Sequence, residues 1–369
     1  MGNQVVISGS GVSVPNHVIS NTELCQAFNQ WVAKENAERS PSEQLKESNA
    51  EFIEQASGIK QRYVLDKAGI LDPARMMPLI EERNDEELSH QAEFAVQAAR
   101  IALKDANVKA EDIEMIVLAT SNLQRMYPAV AMEVQAALGA SGFAFDISVG
   151  CSSGTFPIQI VKDALVSGSV KRALIVNPEI MCGHLNWRDR DSHFIFGDAC
   201  TALVLETRDT ATSENQWGIL DSRLLSSFSS NIRNNGGYLS RCNPETRDAS
   251  DKLFYQQGRK VFKDIVPLAS NFIKEHIVDN GLEPSQINRY WLHQANINMN
   301  RLISKRILGR EATDKEAPSI LGNYGNTASC GSIICFNENS MDLNVGDKGV
   351  LCSFGAGYSI GSILIEKIN

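Results

Sequence analysis

Two distant stretches of the chain follow one plan. VKAEDIEMIVLATSN, residues 108–122, passes from a helix end through a short polar loop to an isoleucine and then a short apolar run. LEPSQINRYWLHQAN, residues 282–296, does the same at the same length. A continuous apolar run this short marks a strand buried on both faces. Each run is preceded by a helical pattern: SHQAEFAVQAARIALKDANV in one case and GRKVFKDIVPLASNFIKEHIVDNG, despite Pro267, in the other. The first copy continues with a helix over 128–139, a strand over 143–150, a helix over 153–168, and strands RALIVNPE and FGDACTALVLETR. The second continues with a helix over 327–340 and two strands around a Gly-rich bend in DKGVLCSFGAGYSIGSILIEK. One long repeat is not a solenoid period. The pattern predicts two similar α/β halves, about 1–208 and 218–369, each a βαβαβ unit with a parallel sheet and helices on its faces. The polar stretch RDTATSENQWG, residues 208–218, is the predicted linker. Residues 3–14 read as a buried strand, 34–50 as a solvated helical excursion and 66–88 as a surface loop.

Composition removes several function classes. The chain has 369 residues and a formal charge of −9. An acidic chain has no general attraction to phosphate backbones or anionic lipid, so neither a nucleic-acid nor a membrane-surface role is expected. No apolar run reaches the ~18 residues of a membrane helix, and the N-terminus has no secretory pattern. A cytoplasmic protein is expected. The 8 cysteines are scattered without a CxxC pair, which argues against a disulfide scaffold or a zinc site.

Four places could carry chemistry. Cys151 in DISVGCSSGTF follows Gly150 at a strand-to-helix turn, where helix N–H groups would lower a thiol pKa and could bind an oxyanion. His293 in YWLHQAN ends a buried strand, where ligands collect in α/β sheets. Asn326 in LGNYGNTASCGS follows Gly325 ahead of a helix. FGAGY, 354–358, brings backbone close to a ligand and is not a dinucleotide loop, because it joins two strands. Each alone has a plain reading: a structural thiol, a core histidine, a helix cap, a bend. Together, at the ends of corresponding elements in two halves, they form a coherent set. A thiolate accepts an acyl group from a thioester. His and Asn donors would hold the enolate left by decarboxylation of a malonyl thioester. No metal or redox cofactor is needed.

The motifs DISVGCSSG, IFGDACTALVLE, LHQANINM, NYGNTAS and SFGAGYSIG resemble β-ketoacyl-acyl-carrier-protein synthase III, of the thiolase superfamily, nearly end to end. The resemblance implies a duplicated thiolase-like fold of two pseudo-symmetric halves in five α-β-α-β-α layers. It implies Cys151 as nucleophile, His293 and Asn326 as the decarboxylation pair, and the N–H groups of Cys151 and Ala356 as an acyl oxyanion hole. Asn296 matches a secondary polar residue of the site. It further implies a homodimer, with Tyr127 at the position where a partner aromatic closes the acyl pocket, and coenzyme A thioester and acyl carrier protein as substrates. Phe52 stands where the family has the Trp of its adenine clamp, Ala56 where it has an Arg, and Arg190 matches the second clamp residue. Asn298 replaces an Arg used in carrier-protein docking, for which Arg301 could substitute. These departures fit a longer acyl chain, or a specialised resorcinol- or polyketide-type product. An acyltransferase on the same fold that does not decarboxylate is the nearest rival.

Overall fold

The computed structural model describes residues 4–369. Nine strands form one continuous sheet. In chain order they are β1 (Val5–Ser13), β2 (Met115–Ala119), β3 (Phe143–Ile147), β4 (Arg172–Glu179), β5 (Ala199–Thr207), β6 (Trp217–Ser229), β7 (Arg289–Leu292), β8 (Lys348–Gly355) and β9 (Gly357–Lys367). The principal helices are α1 (Asn21–Asn36), α2 (Ala50–Ser57), α3 (His90–Ala106), α4 (Val130–Leu138), α5 (Phe156–Val166), α6 (Gly258–Asp279), α7 (Ile297–Leu308) and α8 (Gly331–Glu338). Among the described residues no helix is long and apolar enough to cross a membrane.

The strand order β7-β8-β9-β6-β1-β5-β4-β2-β3 shows the duplication. From the centre outward, β1-β5-β4-β2 in one half matches β6-β9-β8-β7 in the other. The pairings match too: antiparallel, antiparallel, then parallel. β3 extends the first half alone. Opposite it in the second half, Tyr290 N donates to Glu316 O, a lone ladder-type bond beside β7. Within the sheet the halves pair through Val6↔Gly218 and Ile7↔Trp217.

The sheet is therefore mixed, not parallel as the sequence suggested. β8 and β9 form a hairpin, and β4 turns back into β5 through an irregular excursion, residues 180–198. Neither connection is a helix, and without a crossover helix adjacent strands run antiparallel.

Strand periodicity builds the layers. Val117, Ile175 and Leu351 face an inner core with Ile158 and Val161 of α5 and Ile333 and Phe336 of α8. Their neighbours Ile116, Leu118 and Leu174 face α3 and α4. Val350, Cys352 and Leu364 face α6 and α7. The result is five layers, α-β-α-β-α. Gly9 and Gly11 let β1 meet α3 at close range, since a Cβ on either would lie within 2.4 Å of a backbone carbonyl of Ala102 or Ala98. Trp217, Trp291 and Phe336 pack edge to face at 5.1–5.6 Å in the inner core. Each such pair adds about 0.5–1.5 kcal/mol beyond area burial. Trp217, placed in the linker by sequence, thus belongs to the core.

Residues 34–50 do not continue as helix. α1 opens with a capping box, Ser20 with Glu23, and stops at Asn36. Asn36 then exchanges hydrogen bonds with the backbone of Leu45, and Asn29 with that of Ser48, so side chains tie the next segment back in an irregular path. Residues 66–88 are loop apart from a short helix, Lys67–Leu71, capped by Asp66. These excursions and the 180–198 segment pack into one further apolar cluster that borders Cys151.

Candidate active site

Gly150, at φ +55, turns the chain out of the strand region, and Cys151 follows at the head of a one-turn helix, Ser152–Gly154. α5 begins only at Phe156. Gly154 permits the next contact: a Cβ there would lie 2.4 Å from Ser329 O, in the turn that follows Asn326. On another side, a Cβ on Gly355 would meet Cys151 Sγ at 3.0 Å. Phe354, one residue earlier, meets the His293 imidazole edge to face at 5.2 Å. A Cβ on Gly331, at the head of α8, would sit 3.2 Å from the backbone N of Gln294, next to His293. The segments that carry Cys151, His293 and Asn326 therefore touch through their neighbours: Gly154 meets Ser329, Gly355 meets Cys151, Phe354 meets His293 and Gly331 meets Gln294.

The electrostatics depart from expectation at the thiol. Cys151 keeps partial exposure, yet desolvation pushes its pKa up to about 12, and the charge of buried Glu179 pushes the same way. The backbone N–H groups of Ala356 and Cys151 itself oppose this by hydrogen bonding to the sulfur. The sequence suggested a lowered pKa. The one-turn helix sets the thiol apart from α5, and no cation offsets burial.

His293 is 2% exposed, and burial holds its pKa down at about 4, so the ring is neutral near pH 7. Its Nδ1 is buried without a partner. Asn326 is fixed at both backbone groups: its N–H donates to Ile195 O at 2.9 Å, and its carbonyl accepts from Gly197 N at 3.0 Å. Its Oδ1 accepts from Ala328 N at 2.9 Å, leaving Nδ2 with no protein partner among the described residues. Ala328 holds φ +48, a conformation that costs a non-glycine residue about 1 kcal/mol or more.

Phe52 and Arg190 also meet: the guanidinium lies 5.3 Å from the ring centre, and Phe52 is 47% exposed. Arg190 Nε donates to Glu47 O, which fixes the arm. Asn296 does not face the site with a free amide. Its Oδ1 caps α7 by accepting from Asn298 N and Met299 N, and its Nδ2 donates to Ala56 O, so it ties α7 to α2. Asn298 Nδ2 adds a second tie to Ala56 O. Tyr127 stands apart, 84% exposed on the loop before α4. Sequence reasoning missed Glu179. Its signal was a carboxylate ending a strand, RALIVNPE, whose centre is apolar.

The family model described as 3-oxoacyl-[acyl-carrier-protein] synthase III matches residues 145–227, and the model of its C-terminal part matches 277–367. A β-ketodecanoyl-[acyl-carrier-protein] synthase of Pseudomonas aeruginosa is 51% identical over 93% of this chain and 99% of its own. Two solved structures share the fold. One is a 3-oxoacyl-(acyl carrier protein) synthase III of Pseudomonas aeruginosa, with TM-score 0.77, 23% identity and 99% of each chain covered. The other is the priming β-ketosynthase of the R1128 polyketide pathway, with TM-score 0.80, 21% identity, and 100% of this chain and 97% of that one covered. The chain belongs to the β-ketoacyl-acyl-carrier-protein synthase III family, acyltransferase-type condensing enzymes of the thiolase superfamily.

Proposed function

We propose that this chain transfers an eight-carbon acyl group to Cys151 and condenses it with malonyl carrier protein, giving the ten-carbon β-keto product named in its 51% identical relative. The observation that supports this reading is the close packing of Gly355 on Cys151, of Phe354 on His293, and of Gly154 on the turn after Asn326. In the first step Cys151 Sγ attacks the thioester carbonyl, and the N–H groups of Cys151 and Ala356 hold the oxyanion. The proton of the thiol passes through neutral His293 to the departing coenzyme A thiolate. In the second step the malonyl carboxylate leaves as carbon dioxide. The enolate oxygen is held by His293 Nε2–H and Asn326 Nδ2–H, its carbon attacks the acyl carbon, and the Cys151 thiolate is released and reprotonated. One proton is consumed overall. Loss of one such donor usually costs about 10²–10³ in rate.

The Phe52–Arg190 pair holds the nucleotide of a coenzyme A donor in this reading. Arg301, Lys305 and Arg306 on α7 offer cations to the phosphate that links the carrier protein to its thioester. The working unit is a homodimer in the cytoplasm. β3 is the outer strand of the sheet, Phe143 on it is 49% exposed, and Met126, Tyr127 and Met132 are exposed on the neighbouring segment. The R1128 enzyme is similar at 21% identity, which reaches the fold and not the product.

The test is a panel of acyl-coenzyme A thioesters, two to twelve carbons long, offered with malonyl carrier protein. Product masses should show a maximum at the ten-carbon β-keto product. A maximum at the four-carbon product would overturn the chain length, and product without carbon dioxide release would overturn the condensation.

A further inference from the structure

Glu179 ends β4 and is fully buried. Its Oε1 accepts from Ser121 N at 2.9 Å, Ser121 Oγ at 3.0 Å, Ser329 N at 3.3 Å, and Ser329 Oγ. Its Oε2 accepts from Thr120 Oγ1 at 3.2 Å. One carboxylate therefore joins the end of β2, the end of β4 and the turn after Asn326, and so bridges the two halves. That turn needs an anchor. Ala328 sits at positive φ, Thr327 Oγ1 is buried without a partner, and Asn326 orients its amide by accepting from Ala328 N. Ser329 is the far end of the turn, and Glu179 holds both its donors. The groups around the carboxylate are the thiols of Cys151, Cys200 and Cys330 and the hydroxyls of Thr120, Ser121 and Ser329. None of these groups is a cation.

We propose that Glu179 is a positioning residue for the second half-reaction: it anchors the Asn326–Ser329 turn so that the amide of Asn326 meets the enolate. This rests on the roles given to Cys151 and Asn326 above. A carboxylate used only as mortar would affect both half-reactions alike. Here the effect falls on the second: removing the anchor slows decarboxylation.

The experiment compares wild type, Glu179→Gln and Ser329→Ala in two assays. These are acylation of Cys151 by octanoyl-coenzyme A and decarboxylation of malonyl carrier protein by the preformed acyl-enzyme. Glu179→Gln should lower decarboxylation kcat by roughly tenfold or more with KM little changed. Ser329→Ala should likewise slow decarboxylation. It also carries the test if Glu179→Gln fails to fold. Equal losses in acylation and decarboxylation, or no change in decarboxylation with either variant, would overturn the proposal. Wild type that is never acylated on Cys151 would instead overturn the functional reading beneath it.

Discussion

Gly355 lies against Cys151 so closely that one added methyl group would collide with it: a Cβ at this glycine would stand 2.7 Å from Cys151 Cβ and 3.0 Å from Sγ. The next residue, Ala356, directs its N–H to the same sulfur. Gly355→Ala must therefore displace either the nucleophile or the oxyanion donor. Acylation is expected to fall by about 10²-fold or more, the usual cost of one lost oxyanion donor. Rapid-quench acylation checks this alongside a thermal melt. Normal acylation by Gly355→Ala would show that the contact is not part of the site.

Phe52 and Arg190 face each other at the surface. Stacking and cation–π contacts of this kind are worth about 0.5–2 kcal/mol. Phe52→Ala should raise KM for octanoyl-coenzyme A by roughly tenfold with little change in kcat. An octanoyl thioester without the nucleotide should be handled equally well by both proteins. Steady-state kinetics with the two donors separates nucleotide binding from a general defect.

Arg62 is a fully buried guanidinium. It donates to Ile19 O at 3.0 Å, Asn21 Oδ1 at 2.7 Å and Phe194 O at 3.1 Å, and so ties the N-terminal excursion to the segment that pairs with Asn326. Burial lowers its pKa to about 10. Arg62→Met would strand three acceptors, at a cost of about 3 kcal/mol in all. Urea unfolding measures it, and a loss below about 1 kcal/mol would contradict the tie.

Acid should weaken the fold. His184 and His293 are held at about 4 and His193 at about 3 by burial, and burial also lowers His276. Between about 4.5 and 6.5 the unfolded chain binds protons at these rings that the folded chain refuses, so stability falls as pH falls. Glu179 at about 7 and Asp198 at about 6, both raised by burial, act in the opposite sense, because the folded chain keeps their protons. Asp146, also raised by burial, joins these two, and four groups against three leave a net loss on acidification, at about 1.4 kcal/mol per pH unit for each net proton. His193→Phe removes one of the four and should flatten the slope of unfolding free energy between pH 7 and pH 5. An unchanged slope would show that His193 does not titrate in this way.

The duplication was legible because buried strands leave short apolar runs, and 108–122 and 282–296 repeat them at equal length. Strand direction was not. It depends on what joins β4 to β5 and β8 to β9, and apolar content says nothing of that. The helical reading of 34–50 failed because Asn29 and Asn36 spend their amides on backbone groups across the loop, a choice that periodicity does not register. Cys151, His293 and Asn326 stood out in the sequence because each stands at a turn beside glycine or at a strand end. Asn296 looked like a site residue by motif, but its Oδ1 caps α7 and its Nδ2 donates to Ala56 O. The thiol pKa was misjudged because a turn motif carries no information on the desolvation around it.

Intact-mass and peptide-mass measurement after incubation with octanoyl-coenzyme A probes the nucleophile most directly. Wild type should gain one octanoyl group on the peptide containing Cys151, and addition of malonyl carrier protein should discharge it with release of carbon dioxide. Cys151→Ala should remain unmodified and inactive. An octanoyl group on another residue, or condensation by Cys151→Ala at the wild-type rate, would contradict the account.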